Sequence, residues 1–408
     1  MYTRSVILPL AAICVVIVDK ALASNCNCGF SINRRDGTSS PAYFSQVLET
    51  DFLHLRSFST APDWDKKHGN KDWTVQVFNK TSSQTRGPYG KAATLQNTIK
   101  NPIDELDTWS GDGIRGRDPG LQLVTSPLSD SLPAPDGGPP MIKSGEIATV
   151  RSDILYGSFR AGLKMTGVNG TCGAFFWYRN DSAEIDIESL SRQLQVDSKN
   201  KTVAGLTNIV IQSPQSVAQG FDAAGTPGYQ VAALLFDPTE GYHEYRFDWL
   251  PGSVAFYADG QHLGTLTSSV PSDPGKILLS HWSNGGAGWS GGPPPEPAVM
   301  TVSYVKAYFN SSDAATNQKT DERCAAAKTD VCTVPEWSGS IDPTQTDSQS
   351  LSSDSPFLTN PNQTPGSLQT GSASGSYVSA AERVAMAGRS VSLLLLGFLL
   401  SAVQGWFW

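Results

Sequence analysis

Short runs rich in β-branched and aromatic residues recur along this 408-residue chain, and they constrain its fold more than any other feature. Examples are DWTVQVFN, YGSFRAGLKM, GAFFWYRN, AEIDIESL, TNIVIQS and VMTVSYVKAYFN, and the residues between such runs are rich in Gly, Pro, Asn and Asp. No long stretch has helical periodicity with capping residues. Many short strands with turn residues between them predict an all-β sandwich or jelly roll.

Two turns can be placed from local sequence alone. In YHEYRFDWLPGSVAFYADGQHLGTL, Pro251-Gly252 and Asp259-Gly260 each stand between strand-like segments. Glycine adopts the positive φ that a tight hairpin turn requires. The segment is therefore predicted to be three strands joined by a Pro-Gly turn and an Asp-Gly hairpin turn.

The amino-terminal segment has the pattern of a secretory signal. Arg4 precedes an apolar run from Val6 to Val18, and Ala21-Leu22-Ala23 supplies small residues for cleavage. A membrane span is the alternative, although the run is short for one. We expect residues 1–23 to be removed, so that the mature chain begins near Ser24 outside the cytosol.

The carboxy-terminal segment has the pattern of a GPI-attachment signal. Ser379-Ala380-Ala381 precedes a polar spacer, and an apolar tail runs from Val391 to Trp408. Small residues, a spacer of about 8 to 12 residues and an apolar tail are typical of GPI precursors. Residues 381–408 are therefore expected to be removed, with Ser379 as the favoured attachment residue. A tail anchor, a retained helix and attachment within residues 372–376 are the alternatives.

Composition changes once between these two ends. Residues 337–376 consist mainly of Ser, Thr, Pro, Gln, Asn and Gly, which cannot bury enough apolar surface to fold. We interpret residues 337–380 as a disordered Ser/Thr-rich stalk. The folded part is then one large sandwich over residues 24–312, followed by a cysteine-containing extension over residues 313–336.

Five cysteines follow the signal segment, and these are Cys26, Cys28, Cys172, Cys324 and Cys332. In an oxidising compartment they should pair where geometry permits, which leaves one over. Cys26 and Cys28 are too close in sequence to pair comfortably with each other. A bridge between Cys324 and Cys332 would close a short loop after the last strand, but the sequence leaves the connectivity open.

Charge and histidine spacing argue against two classes of function. The formal net charge is -8 without a basic patch, which argues against a nucleic-acid partner. The five histidines are scattered without ligand spacing, so neither a metal site nor a cofactor is predicted. A structural calcium is compatible with this fold class, but no loop specifies one. Six N-glycosylation sequons fit a secreted glycoprotein.

The segment SAEIDIESLS places three acids at alternate positions. Side chains alternate faces along a strand, so Glu184, Asp186 and Glu188 point together while Ile185 and Ile187 point into the opposite layer. Neighbouring acids repel each other, which costs stability unless the row has a function. A retaining glycosidase needs two carboxyls roughly 5 to 5.5 Å apart, one as nucleophile and one as acid and then base. A solvated strand face is the alternative, because the pattern alone is weak.

The acid row and its neighbours together resemble glycoside hydrolase family 16, in the form without a β-bulge. EIDIE is preceded by GTCGAFFWYRND and followed by YHEYRFDWLPGSVAFYADG, ILLSHWSNGGAGWSGGPP and VSYVKAYFN, in the order and spacing of that family. The resemblance covers roughly residues 145–310. It implies a concanavalin A-like jelly roll of two curved antiparallel sheets with a cleft on the concave side. It also implies that Glu184 is the nucleophile, Asp186 the assisting acid and Glu188 the general acid/base.

Within the family, this chain resembles one group in particular. Trp282-Ser-Asn-Gly and Trp289-Ser-Gly-Gly-Pro, together with the signal, stalk and GPI-like tail, resemble fungal Crh-type cell-wall transglycosylases. Ala183 departs from the pattern, because many members carry an acid just before the nucleophile. This departure leaves the catalytic triplet intact and leaves the substrate and subfamily open.

Aromatic side chains offer apolar faces on which sugar rings can stack. Trp282 and Trp289 lie in a Gly- and Pro-rich segment and are predicted subsite platforms, with packing at a cleft rim as the alternative. Trp177 and Trp249 lie in strand-like runs where a core would also take them. His281 could bind substrate or be structural. The predicted substrate-binding residues are Trp177, Trp249, His281, Trp282 and Trp289.

The sequence therefore predicts a secreted, GPI-anchored cell-surface monomer that acts on cell-wall β-glucan. The predicted reaction is retaining endo-β-1,3 or β-1,3/1,4 hydrolysis through a covalent glycosyl-enzyme on Glu184. A transglycosylase that joins glucan or chitin is the first alternative, and a non-catalytic glycan-binding sandwich is the second. The predicted partner is a polysaccharide, and membrane contact is expected only through the anchor.

Overall fold

The computed structural model describes residues 26–34, 40–60, 69–105, 108–116, 118–194, 204–220, 223–327, 331–336, 343 and 357–358. The predicted secretory signal, the predicted GPI signal and most of the predicted stalk lie outside these residues. Among the described residues, no helix is both long enough and apolar enough to cross a membrane.

Strands dominate the part of the chain that the structure describes. The strands are β1 (Phe30–Ile32), β2 (Ala42–Phe44), β3 (Gln46–Asp51), β4 (Ser57–Phe58), β5 (Gly69–Asn70), β6 (Trp73–Val75), β7 (Phe78–Lys80), β8 (Gly90–Ala93), β9 (Thr98–Asn101), β10 (Gly120–Thr125), β11 (Met141–Thr149), β12 (Ile154–Lys164), β13 (Cys172–Asn180), β14 (Ala183–Leu190), β15 (Gly205–Gln212), β16 (Tyr229–Leu234), β17 (His243–Leu250), β18 (Ser253–Ala258), β19 (Gln261–Leu266), β20 (Lys276–Trp282), β21 (Ala298–Ser311) and β22 (Cys332–Thr333). The α-helices are α1 (Ser82–Thr85), α2 (Pro214–Ala218) and α3 (Ala314–Ala327), and short 3₁₀-helices span Leu95–Asn97, Leu128–Asp130 and Ser191–Gln193.

Two large sheets form the sandwich. The nine-stranded sheet has the order β16-β15-β14-β13-β20-β11-β8-β7, with β6 also paired to β11. The eight-stranded sheet has the order β19-β18-β17-β12-β21-β10-β9, with β3 also paired to β21. Pairing in both sheets is antiparallel except between β8 and β11, which run parallel. The predicted all-β jelly-roll sandwich is confirmed, with this parallel pair as the one departure within the two large sheets.

The hydrophobic core lies between the two large sheets, because alternate side chains of their strands point inward. Ile185 and Ile187 of β14 contribute to it from the nine-stranded sheet. Trp177 of β13 and Trp249 of β17 meet in the core with ring centroids 4.4 Å apart, one from each sheet. The other side of the nine-stranded sheet, called the open face below, does not pack on the eight-stranded sheet.

Both predicted turns are confirmed. Asp259 and Gly260 join β18 to β19 with φ values of 44° and 73°, so both residues occupy the left-handed region. Gly252, between β17 and β18, has a φ of 81°. Because these conformations suit glycine, local sequence was sufficient to place these turns.

Two disulfides, Cys26–Cys332 and Cys28–Cys324, tie the ends of the folded part together. Cys324 and Cys332, whose pairing the sequence left open, are therefore bonded to other cysteines and not to each other. The physical reason is that β22 pairs in parallel with β1, which brings Cys332 to the amino-terminal segment, and α3 brings Cys324 there as well. Cys172 is buried and outside any disulfide.

Phe357 packs on the folded part although it lies within the predicted stalk. Its side chain contacts Trp109 and Tyr304 in a hydrophobic cluster and is 2% exposed. The backbone N–H of Leu358 donates to Glu49 Oε1 at 3.0 Å. These two stalk residues therefore contact the folded part.

Candidate active site

Strand β14 places three carboxyls on the open face. Ile185 and Ile187 lie in the core, so strand alternation turns Glu184, Asp186 and Glu188 away from it. Asp186 is buried, whereas Glu184 and Glu188 are half-buried. The three acids therefore form a row that is recessed but open to solvent at both ends.

No bulge interrupts the row. The one register shift between β13 and β14 lies between Tyr178 and Asn180, ahead of the first acid. From Glu184 to Glu188, β14 pairs regularly with both β13 and β15. Ala174 of β13 lies opposite Glu188, so the β13 residue paired with this acid contributes only a methyl group to the open face.

Asp186 is surrounded by groups that disfavour its charged form. Burial, followed by the charges of Glu184 and Glu188, raises the pKa of Asp186 well above its ordinary value. Burial and the charge of Glu188 also raise the pKa of Glu184, and a hydrogen bond from Asp186 opposes that rise. The hydrogen bond from Asp186 favours the carboxylate form of Glu184, but burial and the charge of Glu188 outweigh it and raise the pKa of Glu184 to about 8.

Glu188 is held at its carboxyl and at its backbone. Cys172 Sγ and Trp289 Nε1 both donate to Glu188 Oε1, at 3.2 Å and 3.3 Å. Burial raises the pKa of Glu188, while these two hydrogen bonds and the charge of Lys91 oppose the rise. Asn208 Nδ2 donates to the Glu188 carbonyl oxygen at 3.0 Å. Glu184 and Glu188 therefore have different hydrogen-bond partners although they share one face.

Two half-buried aromatic rings stand beside Glu188. The ring centroids of Trp289 and Tyr229 are 6.2 Å apart, and Trp289 is the side chain that donates to Glu188. Tyr229 lies at the start of β16, the edge strand of the nine-stranded sheet. These partly exposed rings, called the aromatic wall below, form an apolar surface next to a carboxyl.

The loop of residues 283–292 carries Trp289, and backbone contacts fix its position. Arg192 Nε donates to the Trp289 carbonyl oxygen at 2.8 Å. Gly292 has a φ of 79°, and a Cβ added there would lie 2.4 Å from the Gly170 carbonyl oxygen. Only glycine permits this close approach, which brings the loop against the segment that leads into β13.

A polar cluster lies across β8, β11 and β20. Lys91 Nζ donates to Glu146 Oε2 at 2.7 Å and to Ser280 Oγ at 3.1 Å, and Ser280 Oγ donates to Glu146 Oε2 at 2.8 Å. The ammonium group lies 5.6 Å from a ring centroid of half-buried Trp282. Ser280 stands in the same cross-strand row as Glu188, two strands away. The cluster therefore extends the polar surface of the open face away from β14.

Across the described part of the chain, no group of three or more His, Cys, Asp or Glu side chains is arranged to hold a metal ion. The expectation that neither a metal nor a cofactor is needed stays a prediction.

Comparison with protein families identifies the family to which the segment containing this site belongs. Residues 106–306 match the family model described as Glycosyl hydrolases family 16. These residues are a family 16 glycosyl hydrolase domain. The match includes the whole of β14 and the loop that carries Trp289, so the site described above lies within the domain.

The family 16 domain has relatives among bacterial enzymes. The chain is 30% identical over 161 residues to the Beta-glucanase of Bacillus licheniformis, which covers 37% of this chain and 58% of that enzyme. The chain therefore spans less than two thirds of the length of that relative. Two solved structures are also similar: the catalytic domain of an endo-1,3-beta-glucanase (laminarinase) from Thermotoga petrophila RKU-1, at 15% identity and a TM-score of 0.44, covering 66% of this chain and 99% of that one, and Apo Crh5 transglycosylase, at 17% identity and a TM-score of 0.39, covering 64% and 84%.

The structure corrects three of the five predicted substrate-binding residues of the domain. Trp177 and Trp249 are fully buried between the sheets, and their indole N–H groups donate to main-chain carbonyls. His281 is also buried, its Nδ1–H donates to the Leu123 carbonyl oxygen at 2.9 Å, and burial lowers its pKa to about 4. A saccharide on the open face cannot reach these side chains, which are structural. Trp282 and Trp289 lie on the open face, and their role as platforms stays a prediction.

Sequence reasoning did not identify the partners of the acids. A two-residue period places side chains on one of two faces, but it does not give the register between strands that are distant in sequence. The cross-strand neighbours that define the site therefore had no local signal. The residues found only in the structure are Lys91, Glu146, Cys172 as a partner of Glu188, Asn208, Tyr229 and Ser280.

Proposed function

We propose that the family 16 domain is a retaining glycosidase of β-glucan. It cleaves internal β-1,3 linkages, or the linkages of mixed β-1,3/1,4-glucan, through a covalent glycosyl-enzyme on Glu184. The observation that carries this proposal is the row of three carboxyls that β14 places on the open face without a bulge, inside the family 16 match. Asp186 stands between the two glutamates and hydrogen-bonds to Glu184, whereas Glu188 accepts from Cys172 and Trp289 on a single oxygen. The family match and the name of the Bacillus licheniformis relative support β-glucan as the substrate class.

In the first step, Glu184 acts as the nucleophile. Its carboxylate forms a bond to the anomeric carbon as the glycosidic bond breaks. Glu188, which burial keeps protonated to higher pH, donates its proton to the departing oxygen, and the leaving saccharide becomes an alcohol. Asp186 remains neutral and keeps Glu184 oriented through their hydrogen bond.

In the second step, Glu188 acts as the base. It takes a proton from water as the water oxygen attacks the anomeric carbon, and Glu184 leaves as a carboxylate. Each step inverts the anomeric configuration, so the product has the configuration of the substrate. Glu188 regains its proton in this step and is ready for the next turnover.

Alanine substitutions with azide rescue would assign the two glutamates. Glu188→Ala should lower glucan turnover by about 10²- to 10⁴-fold, while azide should restore cleavage of an activated aryl β-glycoside and give a β-glycosyl azide. Glu184→Ala should instead give an α-glycosyl azide, because a single inversion then occurs. Glu240→Gln changes an exposed loop carboxyl and is the matched control, for which no change is expected.

Two results would contradict this proposal. Turnover of glucan that persists in both alanine variants would remove the glutamates from the reaction. Binding of glucan oligosaccharides by the wild-type protein without any cleavage would favour a non-catalytic glycan-binding sandwich.

We further propose transglycosylation as a second candidate reaction. The observation that favours it is the aromatic wall, because Trp289 and Tyr229 stand beside the carboxyl that would contact the incoming acceptor oxygen. A sugar stacked there would compete with water for the glycosyl-enzyme. Incubation of a glucan oligosaccharide with a fluorescent acceptor should give labelled, elongated products, whereas chain shortening alone would exclude this candidate.

We also propose that the protein works outside the cytosol as a GPI-anchored surface enzyme. The two disulfides support an oxidising compartment, and the terminal segments of the sequence support secretion and anchoring. Phosphatidylinositol-specific phospholipase C should release the protein from intact cells. Retention after that treatment, with release by detergent, would favour a peptide anchor.

A further inference from the structure

We propose that Cys172 is a positioning residue for the general acid/base, and that its thiol and the Trp289 indole together hold Oε1 of Glu188 so that Oε2 exchanges the proton with the glycosidic oxygen. This inference rests on the proposed function of Glu188. It assigns a task to a residue that would otherwise be a small buried side chain in the first position of β13.

The location of Cys172 connects it to the acid row and not to the disulfides. Cys172 lies opposite Leu190 of β14 and opposite Trp282 of β20, on the strand between the two. Its Sγ is fully buried and lies 3.2 Å from Glu188 Oε1. Each of the other cysteines that the structure describes is in a disulfide.

The chemistry of the two donors selects one oxygen of Glu188. The indole N–H can only donate, and the thiol donates as long as it is protonated. Burial, followed by the charge of Glu188, raises the pKa of the Cys172 thiol well above its ordinary value, so it remains protonated. Oε1 therefore accepts from both neighbours and cannot carry the carboxyl proton, which leaves Oε2 as the reactive oxygen.

The two hydrogen bonds to Glu188 Oε1 assist Glu188 both as the acid of the first step and as the base of the second step. The two hydrogen bonds stabilise the carboxylate, so they make the neutral acid a better proton donor in the first step. They also fix the plane of the carboxyl group before water or an acceptor sugar binds in the second step. The titratable and charged groups around Glu188 are Glu184 and Asp186 on β14, Cys172 on β13 and Lys91 on β8.

Four single variants separate positioning from packing. Cys172→Val keeps a similar volume without a donor, and Cys172→Ser restores a donor. Thr171→Val is the matched control, because Thr171 is buried next to Cys172 and its hydroxyl has no hydrogen-bond partner. Trp289→Phe removes the second donor while keeping a ring in the aromatic wall.

The kinetic test compares kcat/KM on glucan, whose leaving group needs a proton, with kcat/KM on an activated aryl glycoside. Cys172→Val should lower kcat/KM on glucan by about tenfold and move the alkaline limb of the pH profile upward. It should have little effect on kcat/KM for an activated aryl glycoside, whose departure needs no acid. Cys172→Ser should recover most of the glucan activity, and Trp289→Phe should shift the same limb in the same direction. An unchanged pH profile in Cys172→Val, with an active wild-type protein, would overturn the inference.

An infrared readout needs no activity and so separates this inference from the proposed function. The S–H stretching band of Cys172, identified by its loss in Cys172→Val, should shift as Glu188 ionises. The band should lose that pH dependence in Glu188→Gln. A band that titrates identically in wild type and Glu188→Gln would show that the thiol does not contact Glu188. A wild-type protein that cleaves no glucan but has the expected band would instead contradict the proposed function.

Discussion

Asp186 is buried between two other carboxyls. Because its pKa is higher in the folded protein than in the unfolded chain, the free energy of unfolding depends on pH. A carboxyl with a raised folded pKa contributes its full stability below its unfolded pKa, near 3.8 for Asp. That contribution is lost as the pH rises through the folded pKa, because the unfolded chain releases the proton more readily. The acid row should therefore oppose folding increasingly as the solution becomes neutral.

Asp186→Asn should consequently stabilise the protein at neutral pH. An amide cannot ionise, so the variant should melt about 2–4 °C higher than wild type at pH 7 for each ~1 kcal/mol recovered. The gain should shrink toward pH 4, where the wild-type carboxyl is protonated in both states. Calorimetry across this pH range measures the effect, with Glu240→Gln as a control that should show no such trend. An equal gain at both pH values would show that ionisation of Asp186 does not destabilise the folded protein.

Individual residues were predictable where a local period decided their position. Glu184, Asp186 and Glu188 share a face because alternation along a single strand requires it. Trp177 could not be assigned in the same way, because GAFFWY is apolar at every position and alternation does not say which face is the core. The contact of Cys172 with Glu188 had no local signal, since it depends on the register between two strands.

At the scale of elements, three strands meet at the cluster of Lys91, Glu146 and Ser280. Lys91 is on β8, Glu146 on the parallel neighbour β11, and Ser280 on β20. The side chains of Lys91 and Glu146 are only 13% and 8% exposed. An ion pair with this little solvent contact leaves a costly unpaired charge when one partner is removed.

Lys91→Met should therefore destabilise the protein by about 3 kcal/mol, because the Glu146 carboxylate then lacks its partner. Adding Glu146→Gln should recover part of this loss, because the buried negative charge is removed. Urea denaturation of wild type, both single variants and the double variant gives the coupling as a double-mutant cycle. Losses that simply add in the double variant would show that the pair does not act as a unit.

Elements joined by short turns were predictable, and elements that meet across the sheet were not. The hairpin at Asp259-Gly260 follows from the turn residues themselves. The parallel pairing of β8 with β11 has no such marker, because strands joined by a long connection have no turn that fixes their register. The Lys91 cluster depends on that pairing, which is why only the structure revealed it.

At the scale of the whole molecule, the segments from both ends of the folded part meet on the outer side of the eight-stranded sheet. Tyr304 and Tyr308 of β21 point outward there, between the core residues of the same strand. Arg246 Nη1 of β17 donates to Glu336 Oε2 at 2.9 Å, and Phe357 packs on Tyr304. The open face with its acids lies on the other sheet.

Phe357→Ala should lower stability without changing the reaction. Removal of a ring that is 2% exposed should cost about 3 kcal/mol, because a cavity replaces its contacts with Trp109 and Tyr304. The melting temperature should fall, while kcat/KM at temperatures well below the transition should not change. Leu235→Ala is the matched control, since Leu235 is 65% exposed. A wild-type melting temperature in Phe357→Ala would show that the segment does not pack there in solution.

The sequence was sufficient to predict the class of fold, but not the contacts that join the two ends of the folded part. The β runs predicted a sandwich, because alternation and turn residues act locally. The disulfides join cysteines separated by 306 and 296 residues, and local sequence carries no information about contacts of that range. The packing of Phe357 was hidden for the same reason, since the segment on either side of Pro356, Phe357 and Leu358 is polar and typical of a stalk.

Trapping of the glycosyl-enzyme would identify the carboxylate that bonds to the sugar. A 2-deoxy-2-fluoro β-glucan oligosaccharide with an activated leaving group slows the second step more than the first, so the intermediate should accumulate. We predict one sugar per protein, attached to Glu184 in the peptide that spans β14, and no label in Glu184→Gln. A label on Glu188, or continued retaining turnover with no labelled peptide, would contradict it.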